Sequence, residues 1–293
     1  MKLKTIKTIL GHPLNKNRKI GALLTFFKRG VVIRLHKHPI VYPFVENTFL
    51  VVDKGMSSAE LQIYTTLYDT NEMLFIMHFL RPEDTFVDVG ANIGVYSVLA
   101  SGITGAKSIA FEPIPSTFAS LKRNMQFNNL LQRAELHNLG VGDKEETLTF
   151  SNSLDAINHV IHDSGFQGAT TSVPVTSLDK ILQDKPVNVL KIDVEGFEAN
   201  VINGAPQTLL RPELKAVIME TNGLSDQYEF GQNYLHDKLL GIGFLPYNYL
   251  PAQRKLVKIE GTNPENTIYI RDLAFVQQRI DTARKIKLRN DLI

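Results

Sequence analysis

From residue 85 onward, short apolar runs alternate with stretches whose apolar residues recur every three or four positions. The runs lie at 85–89, 108–111, 134–141, 187–192 and 216–220, with a final pair at 244–247 and 266–270. The helical stretches lie at 95–101, 116–128, 198–210 and 233–240. Apolar runs this short read as buried strands, and the three-and-four spacing as the buried stripe of a helix. Strand alternating with helix predicts an α/β fold with a doubly wound parallel sheet covered on both faces. In such sheets the ligand lies outside the carboxyl ends of the strands, where the strand order reverses. Upstream, 41–52 reads as short strands closed by a turn at 53–55. Helical spacing then runs from 58 to 80 and ends at Arg81-Pro82-Glu83-Asp84.

Length adds a domain count. The 293 residues suit one α/β domain, at 61–293, with an N-terminal extension at 1–60. A chain 43% hydrophobic and 21% charged has the make-up of an ordinary soluble globular protein. No apolar run approaches the roughly 18 residues of a membrane span, and the start has no signal-peptide core. The absence of cysteine excludes disulfides, thiolate metal sites and cysteine nucleophiles. A cytoplasmic location is expected.

The net charge of +2 conceals an asymmetry: residues 1–38 hold ten Lys or Arg and no Asp or Glu. Such an arm suits an anionic membrane surface, nucleic acid or an acidic glycan. Residues 20–30 suit a short amphipathic helix, expected to pack on the main domain with a solvated outer face; peripheral membrane contact is the alternative. Nucleic acid is not expected, because no RNA-binding motif or interleaved aromatics accompany the charges.

Candidate chemistry lies at the strand ends. The run through Phe86-Val-Asp-Val enters a turn holding Gly90 and Gly94, with Asp88 two residues before the first glycine. Glycine lets the backbone approach a ligand, and free N–H groups at the next helix can take a carboxylate. The spacing is not that of dinucleotide binding. An acid here repels a pyrophosphate but attracts a sulfonium or an ammonium, which favours S-adenosylmethionine over NAD. Glu112 ends the next strand, positioned for two ribose hydroxyls or merely for a helix N-terminus. Gly142-Asp143 ends another, as an adenine site or a plain hairpin turn. Asp193, Glu195 and Glu198 follow the run at 187–192, an expensive place for charge unless it is used or solvated.

Seven ordered segments resemble the FkbM family of S-adenosylmethionine-dependent methyltransferases: FVDVGANIGVYSVLAS, IAFEPIPSTFASLKRN, LHNLGVGD, INHV, VPVTSLD, VLKIDVEGFEANVINGA and VIMETNG. They run from residue 85 to 223, with a similar lead-in back towards Gln62; the basic arm and the last 60 or so residues match loosely. The resemblance implies a Rossmann-like seven-stranded sheet with an antiparallel last strand. It implies that Asp88, Gly90, Asn92 and Gly94 surround the methionine part, Glu112 the ribose, and Gly142 and Asp143 the adenine, and Ala91 within the same turn is nominated as cofactor-binding too. It also implies methylation of a hydroxyl, which needs an acceptor oxygen held in line and a nearby base. The residues nominated are His159, Asp193 and Glu195, with His162 weaker, and Asn158 and Glu220 for the substrate. His159 falls in the insertion 151–172, expected to cover the strand ends as a lid. No metal is expected, although Asn158, His159 and Asp193 are a conceivable cation set. The acceptor implied is a sugar or glycan in polysaccharide biosynthesis. The alternatives are a polyketide or lipid hydroxyl, or a non-catalytic binding module in glycan assembly, against which intact Gly90, Gly94 and Glu112 argue.

Overall fold

A computed structural model describes residues 2–35, 38–53, 56–151, 160, 167–221, 233–289 and 291–293. The chain opens with helices α1 (Lys2–Gly11) and α2 (Lys19–Leu35), then a hairpin of β1 (Ile40–Pro43) and β2 (Phe49–Val52). Helices α3 (Ser57–Thr65) and α4 (Thr70–Phe79) lead into β3 (Thr85–Val89), α5 (Val95–Leu99), β4 (Lys107–Phe111), α6 (Pro115–Phe127) and β5 (Ala134–His137). A side sheet follows, of β6 (Gly140–Val141), β7 (Glu146–Ser151) and β8 (Thr170–Thr176). The chain returns through α7 (Leu178–Leu182), β9 (Val189–Ile192), α8 (Glu198–Asn203), α9 (Pro206–Leu210), β10 (Ala216–Glu220) and α10 (Tyr234–Gly241). It ends with β11 (Leu245–Leu250), β12 (Lys255–Lys258), β13 (Asn266–Ile270), α11 (Leu273–Asp281), β14 (Lys287–Leu288) and β15 (Asp291–Leu292).

The central sheet has the order β12-β11-β13-β10-β9-β3-β4-β5. Strands β10, β9, β3, β4 and β5 run parallel, and β13 is antiparallel between β10 and β11. This is the expected doubly wound, Rossmann-like methyltransferase sheet with an antiparallel last strand. It carries one strand beyond the expected seven: β12, paired to β11 at the edge. Its sequence KLVK buries only Leu256, so it lacks the apolar run that marked the others.

Period-two alternation sorts the sheet's two faces. Phe86, Val189, Ala216 and Ile218 join a core with Phe75, Phe79 and Val276 of α4 and α11. Val87, Val89, Leu190, Ile192, Val217 and Met219 join the opposite core, with Val201, Leu209 and Leu239 of α8, α9 and α10. The sheet order reverses between β3 and β9, which places the crevice at their carboxyl ends.

Three expected elements are divided. The run at 134–141 splits because the chain leaves the central sheet after His137 and β6 pairs with β8 instead. The helix expected over 198–210 breaks at Gly204-Ala205-Pro206, where Pro206 opens α9. The helical spacing from 58 to 80 hides a break between α3 and α4. There Thr66 has φ 78°, and Gln62 Oε1 accepts from Tyr68 N at 2.8 Å.

Candidate functional site

A cavity of about 580 Å³ opens at the carboxyl ends of β3, β4, β9 and β10. Each wall follows from a local feature of the sequence.

The first wall is the turn after β3. Gly90, Asn92 and Gly94 take positive φ of 78°, 51° and 85°. Gly90 N and Ala91 N donate to Phe111 O at 3.0 and 2.9 Å, folding the turn against β4. A Cβ on Gly90 would lie 1.8 Å from Asp193 O, so only glycine lets the ends of β3 and β9 meet. Gly90, Ala91 and Asn92 line the cavity. Gly94 does not: it opens α5, and its missing Cβ makes room for Leu121. Asp88 is buried; its Oδ2 accepts from Ser97 Oγ at 2.7 Å, and its Oδ1 has no partner among the described residues. Burial raises its carboxyl above the usual range.

Glu112, at the end of β4, is also buried against the cavity. Its Oε2 accepts from Asn92 N at 3.0 Å and its Oε1 from Ile114 N at 2.9 Å. Burial pushes its pKa to about 7 in spite of these bonds. Each oxygen retains a lone pair for a further donor. Beyond it Phe111, Ile114, Leu139, Val141, Phe150 and Phe197 form an apolar wall. Gly142 and Asp143 lie just outside that wall. Gly142 is buried where a Cβ would meet Val175 and Phe197, its carbonyl packs against Gly204, and Asp143 is exposed.

The opposite wall is acidic. One oxygen each of Asp193, Glu195 and Glu220 lie within 4.8 Å of one another. Burial, then Asp193, raises Glu195 to about 7 and Glu220 to about 9. Glu195 has φ 51° and is followed by Gly196 at 100°, a tight turn closed by Glu198. Glu198 is buried, and its Oε1 accepts from Val194 N at 3.2 Å and Gly196 N at 3.1 Å. Its role is to shape the loop.

Lys191, Tyr96 and Asp69 are among the cavity residues that escaped the sequence reading. Lys191 is buried in β9; its Nζ donates to Asp193 Oδ2 at 2.8 Å and lies 4.7 Å from the Tyr96 ring centre. Burial alone would lower its pKa, but Asp193, Asp88 and Asp69 outweigh burial and raise it. Tyr96 donates to Asp69 Oδ2 at 3.0 Å, and burial raises Asp69 to about 6. A lysine inside the apolar run Val189-Leu-Lys-Ile192 was the available signal. Asn158, His159 and His162 lie outside the described residues, as does most of the expected lid.

An anionic pocket joined to an apolar slot suits a cationic ligand bearing a ribose and a flat base. It opposes a pyrophosphate. With the sheet order, these features define a Rossmann-like methyltransferase. The profile of the "Methyltransferase FkbM domain" matches residues 88–244, just over half of the chain. The chain belongs to that family, and S-adenosylmethionine is its cofactor.

Among curated relatives, "Methyltransferase 1" of Beauveria bassiana is 32% identical over 148 residues, which are 42% of this chain and 59% of that one. "Hexuronic acid methyltransferase AglP" of Haloferax volcanii is 32% identical over 130 residues, 43% of this chain and 52% of that one. The chain thus spans little more than half the length of either relative. The solved structure of methyltransferase FkbM from Methylobacillus flagellatus is 16% identical, covers 71% of this chain and 52% of that one, and superposes with a TM-score of 0.46.

Proposed function

We propose that the protein transfers the methyl group of S-adenosylmethionine to a hydroxyl of a sugar or glycan. The observation that carries this reading is the cluster of Asp193, Glu195 and Glu220 facing the Asp88–Glu112 wall across one cavity. Carboxylates are the usual partners of sugar hydroxyls, and one of them must take a proton when a hydroxyl is alkylated. The hexuronic acid methyltransferase among the relatives is consistent with such an acceptor.

The cavity residues fit the cofactor. The free Oδ1 of Asp88 is a buried acceptor suited to an ammonium, and the remaining lone pairs of Glu112 suit the two ribose hydroxyls. The slot between Ile114, Val141 and Phe197 suits adenine and adjoins the nominated Gly142 and Asp143 through Val141. When bound, S-adenosylmethionine supplies a methyl carbon made electrophilic by its sulfonium.

The chain's residues supply the rest. Lys191 fixes Asp193, which leaves Asp193 to orient the acceptor. Glu195, raised to about 7, is matched to hold the acceptor's proton near neutral pH. Phe150 and Phe197 keep the cofactor side of the cavity apolar.

Labelled S-adenosylmethionine offered with a panel of hexoses and hexuronates tests the reading, with the product located by mass spectrometry. Label on a ring hydroxyl supports it. Label only on a carboxyl group, or on no sugar while a polyketide or lipid alcohol is methylated, rejects it.

A further inference from the structure

The N-terminal helix α2 turns its apolar stripe away from the protein. Its buried side holds Ala22, packed with Ile9 and Tyr64, and Arg29, which donates to Tyr42 Oη at 2.6 Å. The opposite side holds Ile20, Leu24, Phe27 and Val31, which are 77%, 55%, 60% and 54% exposed. Spacings of four, three and four residues align them along one face, where an ordinary surface helix is polar. Lys16, just before α2, and Lys19 and Lys28 on it are exposed, and Leu3 and Lys7 are exposed on α1. No acidic residue precedes Glu46, which is itself paired with Arg284.

We propose that this face rests on an anionic lipid surface, with Ile20, Leu24, Phe27 and Val31 in the headgroup boundary and the lysines on headgroup phosphates. An apolar stripe between basic flanks is the signature of an interfacial helix. Pairing with a second copy along the stripe would bring like-charged flanks together with no carboxylate among them. Nucleic acid would use the lysines but leave the stripe in water. The segment joining α1 to α2 is also fastened to the site. Asn15 Nδ2 donates to Tyr64 O at 3.0 Å, and His12 Nε2 lies 3.0 Å from the carbonyl of Tyr68, a cavity residue. A docked arm therefore holds the cavity in a fixed relation to the lipid.

The full-length protein is sedimented with phosphatidylcholine vesicles, with and without phosphatidylglycerol, at low and high salt. Binding is expected only with the anionic vesicles, and it should weaken with salt. Leu24→Gln/Phe27→Gln and Lys19→Glu/Lys28→Glu should each weaken it at least about tenfold while leaving S-adenosylmethionine affinity unchanged. Protein that ignores anionic vesicles overturns the proposal, as does binding that the glutamine pair retains. A dimer that the glutamine pair dissociates, without lipid binding, replaces lipid with a second copy.

Discussion

Asp88 and Lys191 are register partners on the adjacent parallel strands β3 and β9, and both point to the same face of the sheet. Lys191 Nζ reaches on to Asp193 Oδ2, just past the end of its own strand. A single buried ammonium thus sits between acids from the ends of the two strands that bound the crevice. It keeps the site anionic enough for a cationic cofactor without leaving every carboxylate uncompensated.

Lys191→Met should therefore destabilise the protein. Breaking a buried ion pair costs about 3–5 kcal/mol, reduced here to about 2–4 because Asp193 meets the cavity. The midpoint of denaturant unfolding should fall with an unchanged slope. An unaltered midpoint would mean that Lys191 holds nothing.

Gly90→Ala acts at the same junction. The added Cβ would stand 1.8 Å from a backbone oxygen of Asp193, and backbone cannot step aside as a side chain can. Either β3 or β9 must shift by more than an ångström, which displaces Asp88 and Asn92 together. Calorimetry should detect no S-adenosylmethionine binding at concentrations that saturate the unaltered protein. Normal affinity in this variant would remove the turn from the cofactor site.

Glu112→Ala removes the acceptor assigned to the ribose. Losing hydrogen bonds to a charged group costs about 1.5–3 kcal/mol, or roughly 10- to 150-fold in Kd. Asn92 N and Ile114 N also lose their partner, so the melting temperature should drop as well. Isothermal titration separates the two effects if it is run well below that temperature. Unchanged affinity would assign Glu112 to turn closure alone.

Much of this was visible in the sequence, for a physical reason. Short apolar runs mark parallel strands because those strands are buried on both faces, so Asp88, Glu112 and Asp193 stood out as acids ending such runs. Lys191 was hidden because a lone lysine looks like an interruption, and its counter-charge on β3 is about a hundred residues distant. Asp69 was hidden because helical spacing persists across the break at Thr66, and Tyr96 because it reads as one more apolar position of α5. Gly94 and Gly142 attracted attention as ligand glycines, yet both serve close packing, against Leu121 and against Val175 and Phe197. For α2, the sequence suggested an amphipathic helix with a solvated outer face, but not that Ile20, Leu24, Phe27 and Val31 would make up that outer face.

Glu220 predicts a dependence of stability on pH. Its carboxyl is raised from 4.5 to about 9 by burial, then by Asp193 and Glu195. The folded state therefore favours the proton that the unfolded state releases above its own lower pKa. The resulting stability is complete below about pH 4.5 and is lost as pH rises towards about 9. Without ligand, the melting temperature should fall across that window. Glu220→Gln, neutral at every pH, should flatten the fall and melt about 2–4 °C higher at the alkaline end. Parallel curves for the two proteins would contradict this.

Glu195 provides the kinetic test. Its pKa, pushed to about 7 by burial and then by Asp193 and Glu198, lies near working pH, whereas the hydrogen bond from Lys191 holds Asp193 in place to orient the acceptor. A general base contributes about 10²–10⁴-fold to proton transfer. Glu195→Gln keeps the shape but cannot take a proton, so kcat should fall at least about a hundredfold with S-adenosylmethionine affinity retained. The rate should rise with pH through about 7 in the unaltered enzyme, and the variant should lose that limb. Asp193→Asn, by contrast, should raise KM more than it lowers kcat. His159→Ala discriminates the remaining nominee. If it removes the ascending limb while Glu195→Gln keeps it, the proton goes to the histidine and Glu195 only shapes the acceptor site.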